Sequence, residues 1–402
     1  RLATSFTAAP INGFNAAGGT ANLSNNYQTH WAYSSGNLGC YGTCTTYGNG
    51  QAAMDDRAKF PVGAAFFYAF YNDVGPGNVL PTPGANPATF VRRTAIPANC
   101  PGLTGVDDDD CYVKIVVPAA HQANFASWFS FYRNRHLMTV AGASLAFFDL
   151  PLNYRVTWQS INDCLGFNNA NCLGWDRVQR LNRIRPFSNA AHRGLFFNWL
   201  YRVPHHYGTP LVQAMESAGD FYTQTGIETP MANQPGVSVS GPGSAATNTC
   251  RPNYHVMMTD GLWNGGASGR GNVDATGSTF PDSTAYTSRA PYTDGTGGTL
   301  ADVAFHYWKT DLQPGLNNDV LPFVDTVRGA GYWNAWNDPA AWQHMVNFNV
   351  GLGLSGFLNG TGGQPLWGGD TYSGTWPTLQ TGATPWPAAT NGSAFTVSDL
   401  WH

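Results

Sequence analysis

Two short segments hold the residue types that could bind a hard cation: Tyr207-Gly208-Thr209-Pro210-Leu211 and Val256-Met257-Met258-Thr259-Asp260-Gly261. In the first, Thr209 opens a run with helical spacing (Leu211, Val212, Ala214, Met215, Ala218). In the second, Asp260 ends an apolar, strand-like run and is followed by glycine. Mg2+ and Ca2+ take oxygen ligands, and loops at strand-to-helix crossings can bring a hydroxyl and a carboxylate together. Thr209 and Asp260 are therefore the candidate metal residues. Two ligands do not fill an octahedron, so binding of Mg2+ or Ca2+ by this chain alone is expected to be weak or absent.

Other clusters have plainer readings. Asp107, Asp108, Asp109 and Asp110 lie between Cys100 and Cys111; four adjacent like charges read as a solvated acidic loop rather than a Ca2+ site. Asp274, Asp282 and Asp294 sit in glycine-rich loops, where aspartate turns are routine. His205 and His206, with His192 nearby, read as structural, because adjacent histidines rarely chelate one ion. Arg177, Arg180 and Arg183 recur at the spacing of a solvated helix face, with Arg185 and Arg193 beyond. No Gly-x-Ser-x-Gly, His-Glu-x-x-His, Walker or dinucleotide signature occurs. With 2 Glu in the chain, a paired-carboxylate glycosidase would have to use Asp. The chain reads as a non-enzyme.

The elements that must position Thr209 and Asp260 are set in an unusual composition. Charged residues are 11% of 402, against roughly 25% in soluble proteins, with 17 Arg to 3 Lys and 22 Asp to 2 Glu. Together with 47 Gly and 26 Pro, this describes a few helices in much ordered loop. A net charge of -4 gives no reason to expect nucleic acid or an anionic membrane, and no apolar stretch has the length of a bilayer span. Without a signal peptide at its front, Arg1 is expected to be internal to a longer precursor or the start of a processed one. The cysteines predict local disulfides Cys40–Cys44, Cys100–Cys111 and Cys164–Cys172, an oxidising compartment, and Cys250 left over.

Residues 1 to 110 read as loops and short strands. Then follow a strand at 111–117 and one long helix over 124–148, its buried face formed by Phe125, Trp128, Phe129, Tyr132, Leu137, Val140, Ala141 and Leu145. Helices are expected at 195–203, 209–222 and 299–312, and strands at 154–161, 254–258 and 345–354, with loop tryptophans Trp263, Trp333, Trp336, Trp367 and Trp376 as candidate surface contacts. Strands alternating with helices predict an α/β fold, a doubly wound and mostly parallel sheet with long loop insertions. Its core strands would be Lys114–Val117, Arg155–Ile161, His255–Met258 and Asn347–Leu352.

Five blocks, from Asn124 to His136, Cys250 to Asn264, Gly271 to Asp274, Thr299 to Leu312 and Trp342 to Leu354, resemble in order the PilY-type tip adhesins of bacterial type IV pili. The resemblance covers roughly residues 111–402 and implies a von Willebrand factor A-like (Rossmann-type) domain there, with 1–110 a variable insertion packed on it. The segment Asp399-Leu400-Trp401-His402 resembles the join to a propeller domain expected beyond it. In such a domain Thr209-Pro210-Leu211 and Thr259-Asp260-Gly261 are the second and third loops of a metal-ion-dependent adhesion site. The first loop, Asp-x-Ser-x-Ser, is not found upstream; Asp274-Ala275-Thr276-Gly277-Ser278 follows Gly/Asn rather than an apolar run and is a decoy. The resemblance further implies an extracellular place at the pilus tip, adhesion to a host or abiotic surface, and pilus assembly through minor pilins. The alternatives are an assembly component without its own ligand and, secondly, a secreted hydrolase.

Overall fold

A computed structural model of the chain describes residues 5–15, 19–27, 63–161, 184–203, 208–225, 229–231, 248–259, 261–352, 365–368, 371–374, 376–393 and 395–402. It divides into two compact units, Arg1–Phe148 with Leu200–His206, and Asp149–Trp199 with Tyr207–His402.

In the first unit, β1 (Ala9–Pro10) pairs antiparallel with β2 (Thr20–Ala21), and β3 (Phe66–Phe70) with β4 (Tyr112–Val116). Among the described residues the expected strand 114–117 therefore joins no parallel sheet; its partner there is the aromatic run before it, in register from Phe66↔Val116 to Phe70↔Tyr112. Two helices follow, α1 (Gln122–Phe131) and α2 (Arg135–Phe148), where one long helix is expected from the periodicity. Two side chains account for the break. Asn134 Oδ1 accepts from Leu137 N–H at 2.9 Å, an N-cap that starts α2, and Arg133 Nη1 donates to the Phe129 carbonyl near the end of α1 at 2.7 Å. Phe125 and Phe129 pack on Leu23, Tyr27 and Val117, whereas Trp128 and Leu145, placed by spacing on the buried face, are exposed. The Cys100–Cys111 disulfide ties the acidic loop to β4, with Cα atoms 4.8 Å apart. The expected pairs Cys40–Cys44 and Cys164–Cys172 lie outside the described residues, and the Cys250 thiol is free and exposed.

In the second unit, β5 (Arg155–Val156) pairs antiparallel with β6 (Arg185–Pro186), so the expected strand 155–161 is two residues long and not parallel. Then come α3 (Ala190–Leu200), α4 (Leu211–Tyr222), β7 (Asn253–Thr259), the short pair β8 (Ser278–Thr279) and β9 (Ala285–Tyr286), α5 (Leu300–Lys309) and β10 (Met345–Gly351). They are followed by β11 (Pro365–Gly368) and β12 (Thr371–Gly374), an antiparallel pair, and by α6 (Trp376–Thr381) and α7 (Thr396–Asp399). β7 and β10 run parallel, in register from Asn253↔Met345 to Thr259↔Gly351, and the connection between them contains α5. Parallel neighbours need such a crossover. Leu211, Val212 and Met215 of α4, Met257 of β7, Leu300, Val303 and Tyr307 of α5 and Met345 of β10 form one buried core. No helix among the described residues is long and apolar enough to cross a membrane.

α4 and α5 meet where Gly219 faces Tyr307: a Cβ on Gly219 would lie 2.3 Å from the tyrosine ring. The Tyr307 hydroxyl donates to Asp220 Oδ1 at 2.6 Å and accepts from Arg270 Nη2 at 2.7 Å. Helix propensity alone would favour Gly219→Ala by about 1 kcal/mol; overpacking costs about 1–3 kcal/mol. With its hydroxyl held by two hydrogen bonds the buried ring has little room to give way, so the variant is expected to be less stable, as read by the midpoint of urea unfolding.

Candidate functional site

β7 ends in Thr259, whose buried Oγ1 accepts from Gly261 N–H at 3.0 Å. Gly261 has φ +113°, a conformation that needs no side chain. Past Trp263 the chain meets the Thr209 loop: Asn264 Oδ1 accepts from Thr209 N–H at 2.7 Å, and Asn264 N–H donates to the Thr209 carbonyl at 2.9 Å. A Cβ on Gly208 would sit 2.5 Å from Asn264 Oδ1, so glycine is what lets the loops close. The Thr209 loop is thereby fixed to the segment leaving the carboxyl end of a parallel strand, the edge where doubly wound folds place ligands. Asp260 lies outside the described residues, as do His205, His206, Arg177, Arg180 and Arg183. The start of α4 receives no hydrogen bond from a capping side chain, so Thr209 is held there by its backbone rather than as an N-cap.

Among the described residues, the side-chain oxygens on this loop and the segment it meets include the Thr209 hydroxyl, Asn264 Oδ1 at Thr209 N–H and Gln213 Oε1 beside Gly265. Asn264 Oδ1 is already engaged; Gln213 Nε2 donates to the Gly266 carbonyl while its Oε1 is buried without a partner. Among the described residues no group of three His, Cys, Asp or Glu side chains could hold a metal. By themselves, therefore, these residues do not fit the octahedral oxygen shell of Mg2+.

A second polar assembly surrounds the amino-terminal end of α5. Thr299 and Asp302 form a capping box, with Asp302 Oδ2 accepting from Thr299 N–H at 3.0 Å and Asp302 Oδ1 from Val273 N–H at 2.6 Å. Asp399 covers the same helix end, accepting from Leu300 N–H at 2.8 Å, Ala301 N–H at 3.1 Å and Trp263 Nε1 at 2.9 Å. Burial raises the Asp399 carboxyl, against the pull of these donors. Asp274, expected in a glycine-rich surface turn, is buried, and burial pushes its carboxyl up to about 7. His402 lies between Asp274 and Asp294. Sequence reasoning missed Asn264, Asp302, Asp399 and His402; the one local signal was the Thr-x-x-Asp spacing at Thr299–Asp302.

The loop tryptophans divide. Trp263 and Trp376 are buried, correcting their assignment as surface contacts; Trp333 and Trp336 are half-buried, and the Trp367 side chain lies outside the described residues. His192 is structural, its buried Nε2 2.7 Å from the Val156 carbonyl. Among the described residues, the large apolar side chains most open to solvent are Leu321 at 86% and Val327 at 94%, with Phe323 at 62% and Val324 at 41% between them. Their loop is held by Phe323–Asp338 backbone pairing, by Asn337 Oδ1 accepting from Asp325 N–H at 2.7 Å, and by an Asp325–Arg328 ion pair.

Comparison with known proteins identifies relatives of the chain by sequence. No protein-family model and no solved structure matches the chain. It is 37% identical over 410 residues to the type IV pilus biogenesis factor PilY1 of Pseudomonas aeruginosa strain PAO1, covering 100% of this chain and 30% of that protein. It is 39% identical over 406 residues to PilY1 of strain PAK, covering 99% of this chain and 30% of the relative. The corresponding protein of strain UCBPP-PA14 is 38% identical over 403 residues. Along this aligned length the chain belongs to the PilY1-type family of type IV pilus biogenesis factors. It spans less than a third of the length of these relatives.

Asn264→Ala removes the acceptor that orients Thr209 and should cost about 1 kcal/mol, with faster amide exchange at Thr209. Asn264→Asp keeps an acceptor and should restore protection there.

Proposed function

We propose that the chain is the von Willebrand A-like part of a PilY1-type protein, acting extracellularly at the tip of a type IV pilus in pilus biogenesis and in attachment to a host or abiotic surface. The observation that carries this reading is the match to three PilY1 proteins along the whole chain. Support for a doubly wound fold comes from the parallel β7–β10 pair, with α5 in its crossover and the Thr209 loop beside its carboxyl end. Minor pilins and the propeller domain of the same precursor are the partners the reading implies; no nucleic acid enters it.

Attachment is supported by the pre-formed loop at 321–328. Burying one Leu or Val side chain contributes about 1.5–3 kcal/mol, so two buried together would strengthen contact by more than tenfold. The double variant Leu321→Ser, Val327→Ser in the whole precursor should leave surface piliation at its normal level and reduce attachment by about tenfold or more. Loss of pili with attachment per pilus unchanged would instead favour an assembly component without a ligand.

A cation at Thr209 and Asp260 would need oxygens from elsewhere. Calorimetry of this chain with Mg2+ or Ca2+ is expected to show no tight stoichiometric binding. A tight one-site isotherm abolished by Asp260→Ala would mean that the chain holds the full ligand set.

A further inference from the structure

We propose that Asp274, His402 and Asp294 form a protonation-dependent latch, in which one shared proton holds residues 400–402 against the loops of Asp274 and Asp294 and its loss lets those residues go, while Asp399 stays anchored to the amino-terminal end of α5. The geometry is a sandwich. His402 Nε2 is 3.7 Å from Asp274 Oδ2 and Nδ1 is 3.5 Å from Asp294 Oδ2, with side-chain exposures of 2%, 1% and 3% respectively. The imidazole stacks on Trp386 at 4.8 Å and 25°. At these separations the contacts are ion pairs rather than hydrogen bonds, and neither ring nitrogen, nor Asp274 Oδ2, has another partner.

The other charged groups around the site are already committed. The Asp302 carboxylate is used in the capping box and at Val273, and Asp399 by Leu300, Ala301 and Trp263. Asp294 Oδ1 accepts from Thr296 N–H at 2.7 Å, and Asp274 Oδ1 from Asp294 N–H at 3.3 Å. From α5, Lys309 reaches Ser278 Oγ at 3.4 Å and feels both Asp274 and Asp302; from β9, the Tyr286 hydroxyl donates to the Asp274 carbonyl at 2.6 Å. Arg289 lies over Trp333. None of these provides Asp274 Oδ2 with a proton.

A neutral imidazole has one nitrogen with a bare lone pair. Here both nitrogens face carboxylates, so either tautomer sets a lone pair against a carboxylate oxygen. One proton removes the conflict, whether carried by the ring or by Asp274. Burial pulls His402 down, but Asp294, Asp274 and Asp399 together outweigh it and hold the imidazolium above its usual value. Asp274 is raised to about 7 by burial. Both shifts have the same sign. The contribution of His402 is complete below its unfolded value near 6.5 and lost as pH rises through its folded value; that of Asp274 is complete below about 3.9 and lost as pH rises through about 7.

The test is amide hydrogen exchange at Leu400, Trp401 and His402, which donate to the carbonyls of Val397 and Ser398. Rates would be corrected for intrinsic exchange and compared at about pH 5.5 and 8.5, with the α4 amides as a reference for the intact fold. Protection should fall about tenfold or more at the higher pH while α4 stays protected. In His402→Gln protection should be lower at about pH 5.5 and the step smaller and moved to higher pH, because the imidazolium that lowers the Asp274 carboxyl is gone, and in Asp294→Asn the step should move to lower pH. Equal protection of the wild-type segment at both values, or a step left unchanged in His402→Gln, would overturn the proposal. If His402→Gln loses α4 protection as well, the direction of the Asp294→Asn shift decides: a step left in place overturns it.

Discussion

Four buried aspartates converge on one end of one helix, and much of the second unit is arranged to make that tolerable. Asp302 and Asp399 face the first turn of α5, where unpaired N–H groups and the helix dipole favour negative charge. Asp274 and Asp294 lie next to them and, among the described residues, pair directly with His402 alone. A buried carboxylate without partners is costly, so each of these side chains dictates the path of a distant segment. Asp302 fixes Val273, Asp399 fixes Trp263 and the start of α5, and His402 draws in the end of the described chain. Residues 261–299 thereby follow a defined course with only two two-residue strands between them.

Aromatic side chains pin the remaining loops. Phe280, Tyr286, Ala340 and Trp342 are buried together, with Phe305 and Trp308 of α5 and Tyr332 and Trp333 of a loop packed around them. Trp342 Nε1 donates to the Trp308 carbonyl at 2.8 Å, and Trp308 Nε1 to Asp338 Oδ1 at 3.0 Å. Each of these two tryptophans contributes apolar area to the core and an indole N–H that ties a loop to α5, as suits tryptophan. The loop at 321–328 is braced from this side, since Asp338 also pairs with Phe323 and His344. Its apolar side chains are thus presented by a rigid support, which lowers the ordering cost of any contact they make.

Strong local periodicity made β7, β10, α4 and α5 legible within a residue or two at most ends. The same criterion merged α1 and α2, because a single Asn cap and an arginine reaching back to a carbonyl leave the hydrophobic spacing undisturbed. It also placed β4 in a parallel sheet: alternation reveals a strand but not its partner. At the candidate site, Thr209 could be found from its Thr-Pro-Leu context, but Asn264, Asp399 and His402 could not. Their roles come from contacts such as Asp399 to Leu300, 99 residues apart, and an aspartate in a glycine-rich loop has the same local signature whether it turns in solvent or caps a buried helix.

The excess of arginine over lysine follows from the same loop-rich design. Backbone carbonyls in irregular segments need donors when they are covered, and a planar guanidinium can serve several at once where an ammonium cannot hold that geometry. Arg155 donates to the carbonyls of Pro230, Ile184 and Thr229, and Arg251 adds a second bond to Pro230. Arg133 joins the Ile11 and Phe129 carbonyls, and Arg92 takes the Asn72 carbonyl together with Asp73. These arginines act on the chain's own backbone. Replacing Arg155 by Lys would preserve charge yet lose the planar fork that reaches the Pro230, Ile184 and Thr229 carbonyls together, so side-chain geometry rather than charge is what this position requires.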